Sequence, residues 1–466
     1  MASSSSSTSH WRTSSSDGRS FTQSHSSIVP EGTVVITSVA ESRKVEDKKM
    51  VNQYEFQESL GRGQHGEVSI ARDTITETIA IKAVKRKNPK VDRMSQLRKN
   101  HLPVSPHLPL TDKLGITEQK IRKEIAIMKK CNHPHVVKLL EVIDDGLNEK
   151  IYMVMEYLGG GEIKWRTEGD EPALRVSQTR RICRDVILGL EYLHHHGIIH
   201  RDIKPANLLW SSDRRMVKIA DFGVSHFSYA QQLAAAGQEG YSPEDDILMN
   251  EADLYKFAGT PMFLAPEILY DSGADTSTSS STASNLYALG SESTGSAGAT
   301  TPRKKPTITK AVDIWALGVT LYALLFGQMP FAGDGEWAIY GKIKEDDWEV
   351  PETMGSDGLP VGGRFQSRPS ESEDVEGYLV IKLLDSFLQK DPNKRITLDG
   401  VKHHPWILHD MPNADQWLRQ TAIEESFAVT DDETKSAVSS VKFRWPRSIA
   451  KGLYSLIRNV RPQRSF

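Results

Sequence analysis

Segments of clear hydrophobic periodicity alternate along the chain with long polar stretches, and the periodic segments are of two kinds. Glu67-Val68-Ser69-Ile70-Ala71-Arg72 alternates in polarity as a half-buried strand does, and Ala80-Ile81-Lys82 lies on a second strand. Met153-Val154-Met155-Glu156-Tyr157-Leu158 reads as an apolar strand entering a connector, and Val217-Lys218-Ile219-Ala220 as a short strand that ends at Asp221. Helical spacing governs 118–130 instead, where Ile121, Ile125 and Met128 recur on one face. The longest apolar run, 314–326, is too short to cross a bilayer and predicts a buried helix, so nothing indicates an integral membrane protein.

The polar stretches set the organisation. Residues 1–50 are dominated by serine and read as disordered rather than as a secretory signal, and alanine at position 2 excludes N-myristoylation. Insertions are expected at 86–114, which is basic, and at the low-complexity stretches 272–307 and 355–374. Thr301-Pro302-Arg303-Lys304 reads either as a phosphorylation site or as solvated filler. The segment 411–466 reads as regulatory. With Ile449 at zero and 100° per residue, Leu453, Leu456, Ile457 and Val460 fall between about −20° and 80°, and Arg447, Lys451, Arg458 and Arg461 between about 120° and 200°. Pro446 suits the first position of this basic amphipathic helix, 446–461. Such a helix enters an apolar groove, lies on an anionic membrane, or is simply solvated or core-packed.

Composition narrows the partners. The 466 residues carry a net charge of −3, which gives no nucleic-acid signature, and the basic charge that matters is local to the tail. The 2 cysteines, Cys131 and Cys183, form no C-x-x-C pair, which fits a reducing compartment, cytoplasmic or also nuclear. His194-His195-His196 reads as an exposed helix end rather than a metal site, because adjacent helical residues do not share a face.

Chemistry concentrates in His200-Arg201-Asp202-Ile203-Lys204-Pro205-Ala206-Asn207 and in Asp221-Phe222-Gly223. ATP-driven phosphoryl transfer needs a proton-accepting carboxylate and metal-binding groups, and these two motifs supply both. Upstream lies Gly61-Arg62-Gly63-Gln64-His65-Gly66, whose glycines let backbone amides approach phosphate oxygens. A strand follows these glycines where a dinucleotide-binding fold needs a helix, which disfavours an oxidoreductase.

Together these motifs resemble the protein kinases. The resemblance implies an α+β, two-lobed eukaryotic protein kinase fold over 51–410, with a small β-rich N-lobe and a larger helical C-lobe. It also implies ATP and Mg2+ as cofactors. In its terms Asp202 orients the acceptor hydroxyl and takes its proton, Lys204 faces the moving phosphoryl, and Asn207 and Asp221 bind the metal. Lys82 grips the α- and β-phosphates and pairs with Glu124, unless Glu124 is an ordinary solvated residue. Gly61, Gly63 and Gly66 cover the phosphates. Met155 guards the back pocket, Glu156 and Leu158 meet adenine through their backbones, Glu162 reaches the ribose, and Val68, Ala80 and Leu209 sandwich the ring or are plain core. Lys204 and Thr260 are the types found in serine/threonine kinases, and Glu267 of Ala265-Pro266-Glu267 is expected to pair with Arg395.

Lys123-Glu124-Ile125-Ala126-Ile127-Met128-Lys129-Lys130, the runs 218–225 and 311–327, and a tail carrying Val429-Thr430-Asp431-Asp432-Glu433 and Arg464-Ser465-Phe466 narrow the resemblance to calcium/calmodulin-dependent protein kinase kinases and the related fungal kinases that activate AMP-activated protein kinase. This resemblance implies that other kinases are the substrates and that calmodulin binds within 441–466. Glu244, Asp245, Asp246, Glu251 and Asp253, in a segment whose sole hydroxyl between Ser242 and Thr260 is Tyr255, suggest activity without activation-segment phosphorylation. The alternatives are a generic serine/threonine kinase and a catalytically weak kinase-like scaffold.

Overall fold

The computed structural model describes residues 34–45, 48–63, 66–73, 78–86, 116–228, 258–269, 308–364 and 376–422. Its first half is a β-rich lobe: β1 (Val35–Thr37), β2 (Ser42–Val45), β3 (Lys48–Val51), β4 (Tyr54–Gly63), β5 (Gly66–Asp73), β6 (Thr78–Lys85), helix α1 (Ile116–Lys130), β7 (Leu139–Ile143) and β8 (Lys150–Glu156). These strands form one sheet in the order β1-β7-β8-β6-β5-β4-β3-β2. Alternation along β5 and β6 turns Ala71, Ile79 and Ile81 into a core shared with Val51, Tyr54, Ile143, Tyr152 and Val154.

The sheet begins earlier than expected. Residues 34–50, placed in a disordered N-terminal region on composition, contain β1, β2 and most of β3. β1 and β2 are neighbours in sequence yet lie on opposite edges, so the intervening residues 38–41 draw the two edges together. Backbone pairing does this work: Asp144 N–H donates to Thr37 O at 2.9 Å, and Asn52 N–H to Glu41 O at 2.9 Å. Thr37 Oγ1 and Tyr54 OH also donate to the buried Glu141 carboxylate. Edge strands secured by main-chain bonds need no apolar periodicity, and β2 is exposed throughout. We expect Thr37→Val, which deprives Glu141 of a donor, to cost about 1.5–3 kcal/mol. Thermal unfolding would register this as a midpoint lower by several degrees, and an unchanged midpoint would mean that this strand does not hold the edge.

The larger lobe contains β9 (Gly161–Glu162), α2 (Val176–His195), β10 (Ile198–Ile199), β11 (Leu208–Trp210), β12 (Val217–Ile219), β13 (His226–Phe227), α3 (Ala311–Phe326), α4 (Glu336–Glu345), β14 (Thr353–Met354), β15 (Leu359–Pro360), α5 (Glu376–Phe387), α6 (Leu398–Lys402) and α7 (Pro405–Leu408). Apolar all round, α3 is buried from Val312 to Phe326 and packs on α2 and α5. Residues 355–364, read as part of an insertion, are ordered: β14 and β15 pair across a turn, and Val361 is buried. Glycines made this segment look like low complexity, but Gly355 and Gly358 have positive φ in the turn. A separate unit, Asn413–Phe466, is described only through its short helix α8 (Ala414–Gln420). Insertions 86–114 (beyond Arg86) and 272–307, the acidic run 244–253 with Tyr255, and the amphipathic segment 446–461 lie outside the described residues, as do Gln64 and His65.

Candidate active site

One carboxylate anchors the loop that carries Asp202. Asp313, fully buried on α3, accepts the backbone N–H of His200 (2.8 Å) and of Arg201 (2.7 Å), and its Oδ2 lies 2.8 Å from His194 Nε2. Burial opposes ionisation, yet His194, His200 and the Arg201 amide hold its carboxyl below the usual range. These bonds support Arg201 at φ 69°. The three-histidine run is therefore not simply an exposed helix end. His194 is buried against Asp313, because the last turn of α2 turns this member of the run toward α3.

His200 links this loop to the next motif. Its Nε2 lies 3.1 Å from Ala220 O, its Nδ1 accepts Asp202 N–H at 3.3 Å, and its ring meets buried Phe222 edge-on at 5.1 Å. Short β12 ends before Ala220, so this bond helps to fix where Asp221 emerges, itself at φ 63°.

Asp202 is held from several directions. Thr260 donates to Oδ1 through its backbone N–H (3.0 Å) and its hydroxyl (2.7 Å), Asn207 Nδ2 donates to Oδ2 (2.9 Å) and to Asp202 O (2.8 Å), and Lys204 Nζ lies 2.8 Å from Oδ2. Lys204 Nζ also donates to Thr260 Oγ1 at 2.6 Å. The backbone passes close here: at Gly259, φ 113°, a Cβ would sit 2.6 Å from Arg201 O, so only glycine fits. The carboxylate is thus oriented by neutral donors and one cation, an arrangement suited to aligning a hydroxyl and accepting its proton.

Lys82 joins the two lobes' chemistry. Its Nζ donates to Glu124 Oε1 at 2.6 Å and to Asp221 Oδ1 at 3.1 Å. Burial works against the ammonium, but the two carboxylates outweigh it and raise its pKa. Glu124 is buried on α1 and so is not the solvated residue that sequence left open. The helix is pinned at its start, where Arg86 Nη1 contacts Glu118 at 3.0 Å and Arg86 Nη2 contacts Asp144. Oxygen donors for a hard cation lie nearby: both hydrogen bonds of the Asn207 amide use Nδ2, leaving its oxygen as the acceptor, and the Asp221 side chain is 37% exposed. Among the described residues no group of three or more His, Cys, Asp and Glu side chains is placed to hold a metal ion.

The glycine loop is the β4–β5 turn, with Gly61 opposite Val68 and Gly63 opposite Gly66. Gly66, φ 127°, runs so close to β6 that a Cβ would meet Ala83 O at 2.7 Å. Strand register sets Val68 opposite Lys82 and Ala80 opposite Met155. Leu209 of β11 faces Glu162 of β9 on one side and Lys218 of β12 on the other. Leu158 is buried beyond Glu156, whose N–H donates to Lys138 O at 3.1 Å. Arg395 makes a buried two-point contact with Glu267, at 2.7 and 2.9 Å.

Asp313 and Lys218 occurred in the motifs without a role. A lone carboxylate in an otherwise apolar helix is the signal that could have marked Asp313, since burying it requires donors. Nothing in the local pattern marks Lys218, whose partner Glu156 is distant in sequence.

Comparison with known proteins matches the protein kinase domain at residues 54–293 and 299–407. The serine/threonine-protein kinase ssp1 of Schizosaccharomyces pombe is 38% identical over 397 residues, covering 84% of this chain and 49% of that protein. SNF1-activating kinase 1 of Saccharomyces cerevisiae is 37% identical over 433 residues, 88% of this chain and 34% of its own length. The calcium/calmodulin-dependent protein kinase kinase of Caenorhabditis elegans is 33% identical over 380 residues, 80% of this chain and 56% of its own length. The chain thus spans about half the length of ssp1 and a third of that of SNF1-activating kinase 1.

Proposed function

The chain belongs to the protein kinases, in the family of calcium/calmodulin-dependent protein kinase kinase and SNF1-activating kinase, and from that membership we propose that it transfers the ATP γ-phosphoryl to serine or threonine hydroxyls of other kinases. The observation that carries the chemistry is the Asp202 cluster, in which a single carboxylate is aligned by Thr260, Asn207 and Lys204. As the acceptor oxygen bonds to phosphorus and the bond to the ADP oxygen breaks, Asp202 takes the hydroxyl proton. Lys204, already bridging Asp202 and Thr260, offers positive charge to the phosphoryl oxygens. Lys82 binds the α- and β-phosphates while Glu124 keeps its ammonium in place. Asn207 and Asp221 would hold Mg2+, which supplies charge neutralisation on the phosphates.

At the base end, the Glu156 N–H is engaged by Lys138, so adenine contact there falls to the Glu156 carbonyl, with Leu158 contributing its backbone. Val68, Ala80 and Leu209 enclose the ring, Met155 closes the back, and Glu162, paired beside Leu209, reaches the ribose. The substrates are activation-loop threonines of AMP-activated or calmodulin-dependent kinases, in a cytoplasmic setting. Calmodulin binds the basic amphipathic segment within 441–466. An unphosphorylated AMP-activated-type catalytic domain, incubated with this protein and ATP with and without calcium-calmodulin, should gain phosphate on its activation-loop threonine. Phosphate elsewhere, or none under either condition, would overturn the kinase-kinase assignment, and equal rates with and without calmodulin would overturn its role.

A further inference from the structure

The Glu156 carboxylate stands at the end of β8, where the β-rich lobe hands over to the connector that the proposed function places against adenine. Both its oxygens accept from Lys218 Nζ at 2.8 Å, and Oε1 also accepts the Lys138 N–H at 2.7 Å. Lys218 lies in the middle of β12, three residues before Asp221. Its strand is fixed on both sides. Leu209 pairs with Lys218, Val137 N–H donates to Ile219 O at 2.9 Å, and Ile219 N–H donates to His135 O at 2.9 Å. Lys218 and Glu156 are 13% and 26% exposed in their side chains, so water only partly screens the pair.

We propose that the Lys218–Glu156 pair is a nucleotide-positioning device: it sets the distance between the backbone that meets adenine and the strand that delivers Asp221, and so the separation of the two ends of one bound ATP. The proposal rests on the kinase reading. Asp221 is fixed at Lys82, and the connector begins at Glu156, so two anchors of the same ligand sit on elements joined by this side-chain bridge. Its geometry gives it directional stiffness: one ammonium spans both carboxylate oxygens while a backbone amide holds one of them. Neither side chain touches the reacting atoms. Their effect is on where the base sits relative to the phosphates, and it should appear in ATP affinity rather than in peptide affinity.

The test compares wild type, Lys218→Met, Lys218→Arg and Glu156→Gln in full-length protein, using a peptide substrate, steady-state kinetics and direct binding of a non-hydrolysable ATP analogue. Lys218→Met is expected to raise the KM for ATP and the Kd for the analogue about tenfold, with KM for peptide and kcat changed by less than about twofold. Glu156→Gln retains an oxygen for the Lys138 amide and so keeps the connector folded; it should shift the same two constants by a smaller factor. Lys218→Arg, which can span both oxygens, should restore them. Active wild type with ATP constants unmoved in Lys218→Met, or a fall in kcat with unchanged KM for ATP, would overturn this proposal alone. An inactive wild type that still binds the analogue would overturn the kinase reading instead.

Discussion

Asp202→Asn is expected to lower kcat by about 10²–10⁴-fold while leaving the fold and ATP binding in place. The substitution preserves size and an oxygen, so the Thr260 N–H and hydroxyl can still donate to it. What disappears is the carboxylate proposed to take the hydroxyl proton, and with it the charge that lies 2.8 Å from Lys204. Binding of an ATP analogue should stay near wild type, because the proposed phosphate-side contacts fall to Lys82 and Asp221, which bond to each other and not to Asp202. Stopped-time phosphate transfer at saturating ATP, run beside a thermal unfolding curve, separates the loss of chemistry from loss of structure. A variant within tenfold of wild type would show that Asp202 is not the proton acceptor.

Lys82→Met is expected to damage both stability and catalysis. Glu124 is buried, and its Oε1 lies 2.6 Å from the Lys82 ammonium; without that partner it is a buried charge with reduced compensation, a change that typically costs about 3–5 kcal/mol. The same substitution removes the cation expected on the α- and β-phosphates and releases Asp221 from its 3.1 Å contact, so phosphate transfer should fall at least about 10²-fold. The double variant Lys82→Met/Glu124→Gln distinguishes the two effects. With the carboxylate charge gone, most of the lost stability should return while activity stays low. Recovery of activity together with stability would mean that Lys82 acts only as a counter-ion in the fold.

How much of this was legible in the sequence depends on what kind of interaction positions each residue. Strand β5 and helix α1 were visible because their apolar positions recur at the period of each element, and β6 and β8, buried almost throughout, as short apolar runs. In the folded sheet Ala80 stands opposite Met155, while Glu124 reaches Lys82 from helix α1. β1 and β2 were not visible, since main-chain pairing and the Thr37–Glu141 contact hold them and their side chains are mostly exposed. His194 and Asp313 illustrate a third case. Each was read from its neighbours, the first as part of a histidine run and the second as part of an apolar helix, whereas their roles come from meeting one another across α2 and α3. Lys218 and Glu156 are the same kind of pair, 62 positions apart, and no local pattern can announce them.

The proposed role of the Asp202 carboxylate is to serve ATP-dependent phosphorylation of serine or threonine in another kinase. Its most direct test uses γ-labelled ATP and an unphosphorylated AMP-activated-type catalytic domain, with wild type and Asp202→Asn in parallel and the labelled residue mapped. Wild type should place label on the activation-loop threonine and Asp202→Asn should place almost none. Label on tyrosine, or equal labelling by the two proteins, would contradict it.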